Sequence, residues 1–354
     1  MSPRVVVNRA HLKENVQVVK ALCDQYSIAI TGVTKVFAGD PEIARIFIEN
    51  GIAVLGDSRI ENLKRLETLE AEKWLIRPPM LSEASQVVRY ADVSLNSELD
   101  VILSLDTECQ HQKRTHKIIL MADLGDIREG FVDYEELIRV ARQVEALQNI
   151  TLYGIGVNLT CFSFIQSDAD KMQQLVSIAK RVEEAVGHPL AIVSGGNSAT
   201  IDLMLRGCIC QGVNNLRLGE SLLFGKERAK YCFLPGTYHD VFTLECEIVE
   251  LKQKPSMPWG EIGVDSYGNR PSFVDIGIRK KAVCALGKQD FDVETSQAID
   301  SGIKILGASS DHLMLDVTDS ESEYHVGDVV ALELGYFSTM RAFTSHYVQK
   351  VYLD

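Results

Sequence analysis

The 354-residue chain reads as an α/β protein, a (β/α)8 TIM-type barrel followed by a mostly β C-terminal domain. Three observations predict this. Through residue 228, short apolar runs alternate with amphipathic helical stretches, which implies parallel strands joined by right-handed crossovers. Eight such repeats fit into roughly 200 residues, which suits a closed barrel better than an open sheet. From residue 229 the long helical patterns stop, and β-like runs joined by Gly, Asp and Ser turns take over. The expected organisation is a barrel over 12–228 and a β domain over 229–354. A strand within residues 1–11 precedes the barrel's first strand, so it is expected to pair with the β domain.

The eight barrel strands are read, in order, in AITGVTK, IAVLGDS, KWLIRP, DVSLNS, KIILMADLG, LYGIGVNLT, LAIVSGGNS and NNLRLGES. Each is a run of strand length that stops at a polar or turn residue. Between them lie helical patterns such as PEIARIFIENG, DYEELIRVARQVEAL and DADKMQQLVSIAKRVEEAV. Beyond them, HDVFTLECEIVELKQKP, RKKAVCALG, KILGASSDHLMLDV and DVVALELGY carry the β domain.

Composition narrows the class. Hydrophobic residues at 46% and charged residues at 24% are ordinary for a globular protein. A net charge of −13 argues against nucleic acid, which needs a basic face. No apolar run approaches the roughly 20 residues of a membrane span, and the N-terminal stretch lacks the apolar core of a signal peptide. Eight scattered cysteines without a C-x-x-C pair read as reduced thiols of a cytoplasmic protein. No histidine or cysteine spacing suggests a metal site.

In a parallel barrel the C-terminal strand ends meet at one mouth, where chemistry takes place. Here those ends carry Lys35, Asp57, Arg77, Asn96, Asp123, Asn158, Ser194 and Arg217. Any one of them is ordinary for a solvated rim; eight together, with one amine and two guanidinium groups, look like a site. VSGGNSAT (193–200) and NNLRLGESLLFG (214–225) add glycine turns after strands seven and eight. There backbone N–H groups and a helix start can hold a phosphate. A lysine after strand one facing a phosphate cradle fits a phosphorylated aldehyde such as pyridoxal 5′-phosphate. Its carbonyl condenses with a lysine amine, and its ring draws electrons from Cα.

At this point the residues resemble a known group. TKVFAGD, DSRIENLKRL, SLNSELD, DLGDIREGF, GIGVNLTC, IVSGGNS, NLRLGES, GEIGVDSYGN and LGASSDHLMLDV are similar to the alanine racemase group of pyridoxal-phosphate enzymes (fold type III), and most of all to its ornithine racemases. The resemblance runs from about residue 3 to the C-terminus. It implies that Lys35 is the Schiff-base lysine and that Arg217 meets the pyridine nitrogen. An arginine does not readily yield its proton, so the ring would stay unprotonated, which suits proton exchange over transamination. The resemblance further implies that Asn197, Ser198, Gly219, Glu220 and Ser221 surround the phosphate. Tyr347 is the phosphate-contacting tyrosine, with Tyr336 as competitor, and Arg128 orients the substrate carboxylate.

The chain also departs from the group. Lys288, in GKQD, stands where the group places its second catalytic base, a tyrosine of the partner subunit. Met121 replaces a modified lysine, and Asn158 replaces a histidine. The second acid–base group is therefore sought in GASSDHL, which in the group lies across the dimer. Ser309, Ser310, Asp311 and His312 are all near candidates, with Ser310 and His312 preferred as the catalytic pair to Lys35. Asp311 and Asp290 are candidates for a cationic substrate side chain. The expected protein is a cytoplasmic, homodimeric racemase of ornithine or a related diamino acid with shared active sites. The alternatives are a racemase of alanine, lysine or serine, a fold-related diamino acid decarboxylase, a pyridoxal-phosphate carrier protein and a metal-assisted aldolase.

Overall fold

The computed structural model describes residues 3–264 and 268–354. Residues 265–267 of the GEIGVDSYGN stretch lie outside the described residues. The chain divides into two units: Arg9–Val241, and Phe242–Asp354 together with the N-terminal segment to Asn8.

After β1 (Arg4–Asn8) and α1 (Arg9–Gln25), the barrel strands follow in order. They are β2 (Ala29–Val33), β3 (Val54–Asp57), β4 (Glu72–Leu75), β5 (Val93–Asn96), β6 (His116–Ala122), β7 (Ile150–Val157), β8 (Ile192–Ser194) and β9 (Asn215–Leu218). All eight were read from the sequence. They form a closed barrel in sequence order, sealed by parallel pairing of β2 with β9, Gly32 opposite Leu218. Between them run α2 (Pro41–Glu49), α3 (Ile60–Arg65), α4 (Ala84–Tyr90), α5 (Leu99–Gln112), α6 (Tyr134–Val144), α7 (Ala169–Val186), α8 (Ile201–Leu205) and α9 (Glu220–Phe224).

Strand parity decides the packing, because successive side chains point to opposite faces. On β6, Ile119 and Met121 join Trp74, Val93 and Leu95 in one cluster. Ile118, Leu120 and Ala122 instead join helix residues such as Leu137, Ala141 and Leu175. The first set fills the barrel, and the second seats the helices. Helix starts follow capping chemistry: Asp40 before Pro41 accepts from Glu42 N at 3.0 Å, and Asp168 accepts from Lys171 N at 2.8 Å.

The barrel unit runs past the expected boundary, to Val241. Residues 229–241 belong to it because their polar groups bond back into it. Thr237 Oγ1 donates to Gly225 O at 3.1 Å, and Asn15 exchanges two bonds of 2.7 Å with the Tyr238 backbone. The Tyr238 ring stacks on His11.

The second unit is built on β10 (Phe242–Pro255), β11 (Ile278–Cys284), β12 (Ser296–Ala298), β13 (Lys304–Ala308), β14 (Leu313–Asp316), β15 (Val329–Leu334) and β16 (Gln349–Leu353). The sheet order is β12-β15-β10-β11-β14-β13. β1 lies antiparallel to β10 and parallel to β16, which places the N-terminal strand in this sheet. β12 and β16 lie outside the expected β runs, and one element is of another type. YFSTMRAFT, after the β-like run DVVALELGY, forms α10 (Tyr336–Thr344). Its buried face of Ser338, Thr339, Ala342 and Phe343 carries too few apolar residues to announce a helix.

Candidate active site

Lys35 opens a short 3-10 turn (Lys35–Phe37) directly after β2. Its neighbour Thr34 is anchored: Thr34 Oγ1 donates to Asp57 Oδ2 at 2.6 Å. Asp57 also accepts from Arg59 N at 2.9 Å and Asn62 Nδ2 at 3.0 Å. Burial pushes the Asp57 carboxyl up, and these bonds, with the Lys35 charge nearby, pull it back. The lysine thus stands on a rigid shoulder of the mouth.

The glycine loops after β8 and β9 form the candidate cradle. Gly196 takes a left-handed φ of +102° after β8, which only glycine adopts freely. The chain then enters a turn over Ser198–Thr200, capped by Asn197, whose Oδ1 accepts from Ala199 N at 2.9 Å. Ser198 Oγ lies 3.1 Å from Ser221 Oγ and accepts from Ser221 N at 3.2 Å. A Cβ on Gly219 would sit 3.1 Å from Val33 Cβ, so glycine lets this loop pass close to the strand end that carries Lys35. The helices behind the cradle, α8 and α9, are five residues each. Individual hydroxyl and N–H groups, more than a helix dipole, therefore define the candidate cradle. Glu220 beside it is pushed up by burial, against the charges of Arg228, Lys226 and Lys35.

Arg217 is 5% exposed. A buried polar chain positions it: Asn215 Nδ2 donates to Thr31 Oγ1 at 3.0 Å, Ser194 Oγ to Asn215 Oδ1 at 2.6 Å, and Arg217 Nη1 to Ser194 Oγ at 2.7 Å. Arg217 Nη2 donates to Val157 O at 2.8 Å. Its Nε–H has no hydrogen-bond partner among the described residues. Burial pushes the guanidinium down to about 10, which leaves it cationic at neutral pH.

Arg128 sits in the loop after β6, which closes on itself through Phe131 N to Met121 O at 2.8 Å. Its fork holds Glu129, with Nη2 to Oε1 at 2.5 Å and Nε to Oε2. The Asn158 amide oxygen, turned toward donors, accepts from Arg128 Nη2 at 3.0 Å. Arg217 senses the charges of both Glu129 and Arg128. Glu129 escaped the sequence reading, although an acid directly after the singled-out arginine was visible in DLGDIREGF.

The eight polar strand ends therefore separate by role. Lys35 and Arg217 remain candidates for the mouth, Ser194 holds Arg217 in the buried chain, and Asn158 bonds Arg128. Asp57 locks the loop under Lys35, Arg77 pairs with Glu83 at 2.8 Å, and Asn96 bonds back to Ser94. Asp123 accepts from Gly125 N and Ile127 N.

The remaining candidates belong to the β unit. Ser309–His312 is the turn between β13 and β14, closed by Ser309 N to His312 O at 2.8 Å. Ser310 Oγ donates to Asp311 Oδ2 at 2.7 Å, and Gln289 Nε2 bonds the other Asp311 oxygen. Lys288 N donates to Ser309 O at 2.8 Å. The His312 ring is exposed and carries no hydrogen bond among the described residues. Tyr347 is 69% exposed, while Tyr336 stands at the start of α10. Asp290, considered as a substrate contact, is buried and spent on the scaffold. It accepts from Ser345 Oγ at 2.7 Å and Gly287 N at 3.3 Å. Among the described residues no cluster of His, Cys, Asp and Glu could hold a metal ion. No helix is long and apolar enough to cross a membrane.

A closed parallel barrel whose mouth gathers an amine, a buried guanidinium and a hydroxyl-lined cradle, followed by a β unit, defines a class of barrel enzyme. Comparison with known proteins narrows it. Residues 7–227 match the alanine racemase N-terminal domain family. Ornithine racemase of Acetoanaerobium sticklandii is 42% identical over 350 residues, covering 99% of both chains. Lysine racemase of Thermotoga maritima is 38% identical over 352 residues, covering 99% of this chain and 98% of its own. Among solved structures, an alanine racemase of Clostridium difficile 630 matches with a TM-score of 0.76 at 17% identity, over 100% of this chain and 96% of that one. The D-threonine aldolase of Filomicrobium marinum shares the fold with a TM-score of 0.72 at 12% identity, over 97% and 89% of the two chains. The chain belongs to the alanine racemase family, and it is an enzyme of the racemase type.

Proposed function

We propose that this protein interconverts L- and D-ornithine with pyridoxal 5′-phosphate as cofactor. The observation that carries the reading is the convergence of Lys35, Arg217 and the Ser198–Ser221 cradle on one barrel mouth. These residues fit the cofactor. The serine hydroxyls bond only each other and local backbone, so they are free to turn to a phosphate. The spare Arg217 Nε–H suits a ring nitrogen acceptor. When bound, pyridoxal phosphate supplies a carbonyl carbon for an amine and an electron-accepting ring that makes the Cα proton removable.

The chain's own residues do the rest. Ser198 and Ser221 hold the phosphate, with Asn197, Gly219 and Glu220 shaping the loops around them and Tyr347 as a further contact. Arg128 orients the substrate carboxylate. Lys35 Nζ takes and returns the Cα proton on one face. Racemisation needs a second donor on the opposite face, and Ser310 or His312 of a partner subunit is the proposed source. Homodimerisation is supported by Trp259, which is 85% exposed, and by Val274, Ile276 and Ile278, which are also open to solvent. Such apolar exposure calls for a cover. The eight free thiols suit a cytoplasmic setting. Lysine is the second reading of the substrate, favoured by the relative of that activity.

The test is to incubate the protein and pyridoxal phosphate with each L-amino acid and follow loss of optical rotation. Ornithine should lose rotation fastest. Lys35→Ala should lose activity by about 10³-fold or more, and borohydride should no longer fix cofactor to the chain. Fixation on another lysine would overturn the assignment.

A further inference from the structure

A diamino acid brings two charges into the barrel mouth besides its reacting amine: an α-carboxylate and a distal ammonium. The carboxylate has Arg128 waiting for it in the function proposed above, on which this inference rests. The ammonium needs an acid that is shielded from water and whose present partner has a reason to leave when substrate binds.

Most acids of the mouth loops are committed. Asp57 holds Thr34, Arg59 N and Asn62. Asp123 receives the N–H groups of Gly125 and Ile127, and Asp126 those of Phe162 and Ser163. Glu83 is paired with Arg77 and Glu220 with Arg228 at 3.6 Å. These bonds hold loops in shape, and no partner among them is assigned to the substrate. Glu129 differs. Its side chain is 13% exposed, its charge is felt by Arg217, and its bonded partner among the described residues is the Arg128 fork.

We propose that Glu129 receives the distal ammonium of the substrate, in exchange for Arg128, when Arg128 turns to the substrate's α-carboxylate. Charge balance supports the exchange. In the free protein the Arg128 guanidinium is matched by the Glu129 carboxylate. With a diamino acid bound, Arg128 faces the α-carboxylate, Glu129 faces the ammonium, and both pairs are complete. An amino acid with an uncharged side chain would draw Arg128 away and strand Glu129 as a shielded, unpaired anion, which is costly. The site would thus select basic amino acids by rejecting neutral ones as much as by attracting its own. No covalent bond changes in this exchange.

The experiment measures KM for L-ornithine and the inhibition constant of norvaline, its uncharged counterpart, on the cofactor-loaded enzyme. The quantity read is the preference for ornithine over norvaline. Glu129→Gln should reduce that preference about 100-fold. Glu129→Asp keeps the charge but withdraws it by one methylene, so it should move preference from ornithine toward the longer lysine. This variant also gives a reading if the glutamine variant does not fold. An unchanged preference in Glu129→Gln, or no shift toward lysine in Glu129→Asp, overturns the proposal. So does a loss of preference in Asp311→Asn with none in the Glu129 variants, which would move the ammonium site to the β unit. A wild-type protein inert toward every diamino acid would instead sink the proposed function, and the inference with it.

Discussion

His116 shows how far burial alone can set the chemistry of a residue. Its Nε2 lies 2.8 Å from Ser94 Oγ, and the ring is 1% exposed. Burial pushes it from 6.5 down to about 4, with the Ala91 carbonyl offsetting part of the effect. The folded protein therefore excludes a proton that the unfolded chain accepts. The contribution is fully present above the unfolded value of 6.5 and is lost as pH falls through about 4. A displacement of that size is worth about 3 kcal/mol. Between pH 7 and 4 the wild type should lose up to about 3 kcal/mol more stability than His116→Gln, as read from urea midpoints across pH. Parallel curves would mean that the ring titrates freely. Lys35 and Arg217 are residues of another kind, legible in the sequence because each sits where an apolar strand run stops. Glu129 was harder to see, since its shielding comes from the closed loop around it.

At the element scale the barrel depends on one close approach. Tyr153 falls outside the β6–β7 register, where Ile118 pairs with Leu152 and Ile119 with Gly154. The bulge brings Gly154 against β8, where a Cβ would meet Ile192 O at 2.2 Å and its carbonyl carbon at 2.9 Å. Those are backbone atoms of a hydrogen-bonded strand and have nowhere to go. Gly154→Ala should cost about 3 kcal/mol or more, or prevent folding. Gly187→Ala, at the C-terminus of α7 with φ +85° and open space around it, should cost about 1 kcal/mol. Thermal melts of the two variants make the comparison, and equal losses would show that β8 can retreat. The glycine pattern of LYGIGVNLT was plain in the sequence, but not which glycine meets a neighbouring strand. That depends on register, which the bulge resets.

At the scale of the whole molecule, the proposed active site draws on two subunits. Lys35→Ala and Ser310→Ala should each be nearly inactive alone, and His312→Ala is the parallel variant. After mixing under conditions that exchange subunits, half of the dimers pair one variant with the other, and each such dimer has one site with both groups intact. Activity should recover to about a quarter of wild type. Full activity of both Ser310→Ala and His312→Ala would leave Lys288, or Lys35 acting on both faces, as the second donor. No recovery on mixing, with exchange shown by mass, would place both groups in one subunit.

The sequence by itself determined the barrel, because strand–helix alternation is local and parallel pairing with right-handed crossovers leaves few ways to connect it. It also put Lys35, Arg217 and the two glycine loops at the same end of the barrel, since every strand of a parallel barrel ends on the same side. Only the tertiary structure decided which polar strand ends face the mouth and which serve the scaffold. Asp57, Arg77, Asn96 and Ser194 looked no different from Lys35 and Arg217 in the chain, because their roles follow from strand parity and from partners brought close by folding. Asp290 was lost as a substrate contact for the same reason, its partner Ser345 lying 55 positions away. α10 stayed hidden because its buried face is largely polar and small. The exchange proposed for Glu129 also required the folded chain, for an acid beside an arginine gains its meaning only when the loop closes and shields the acid.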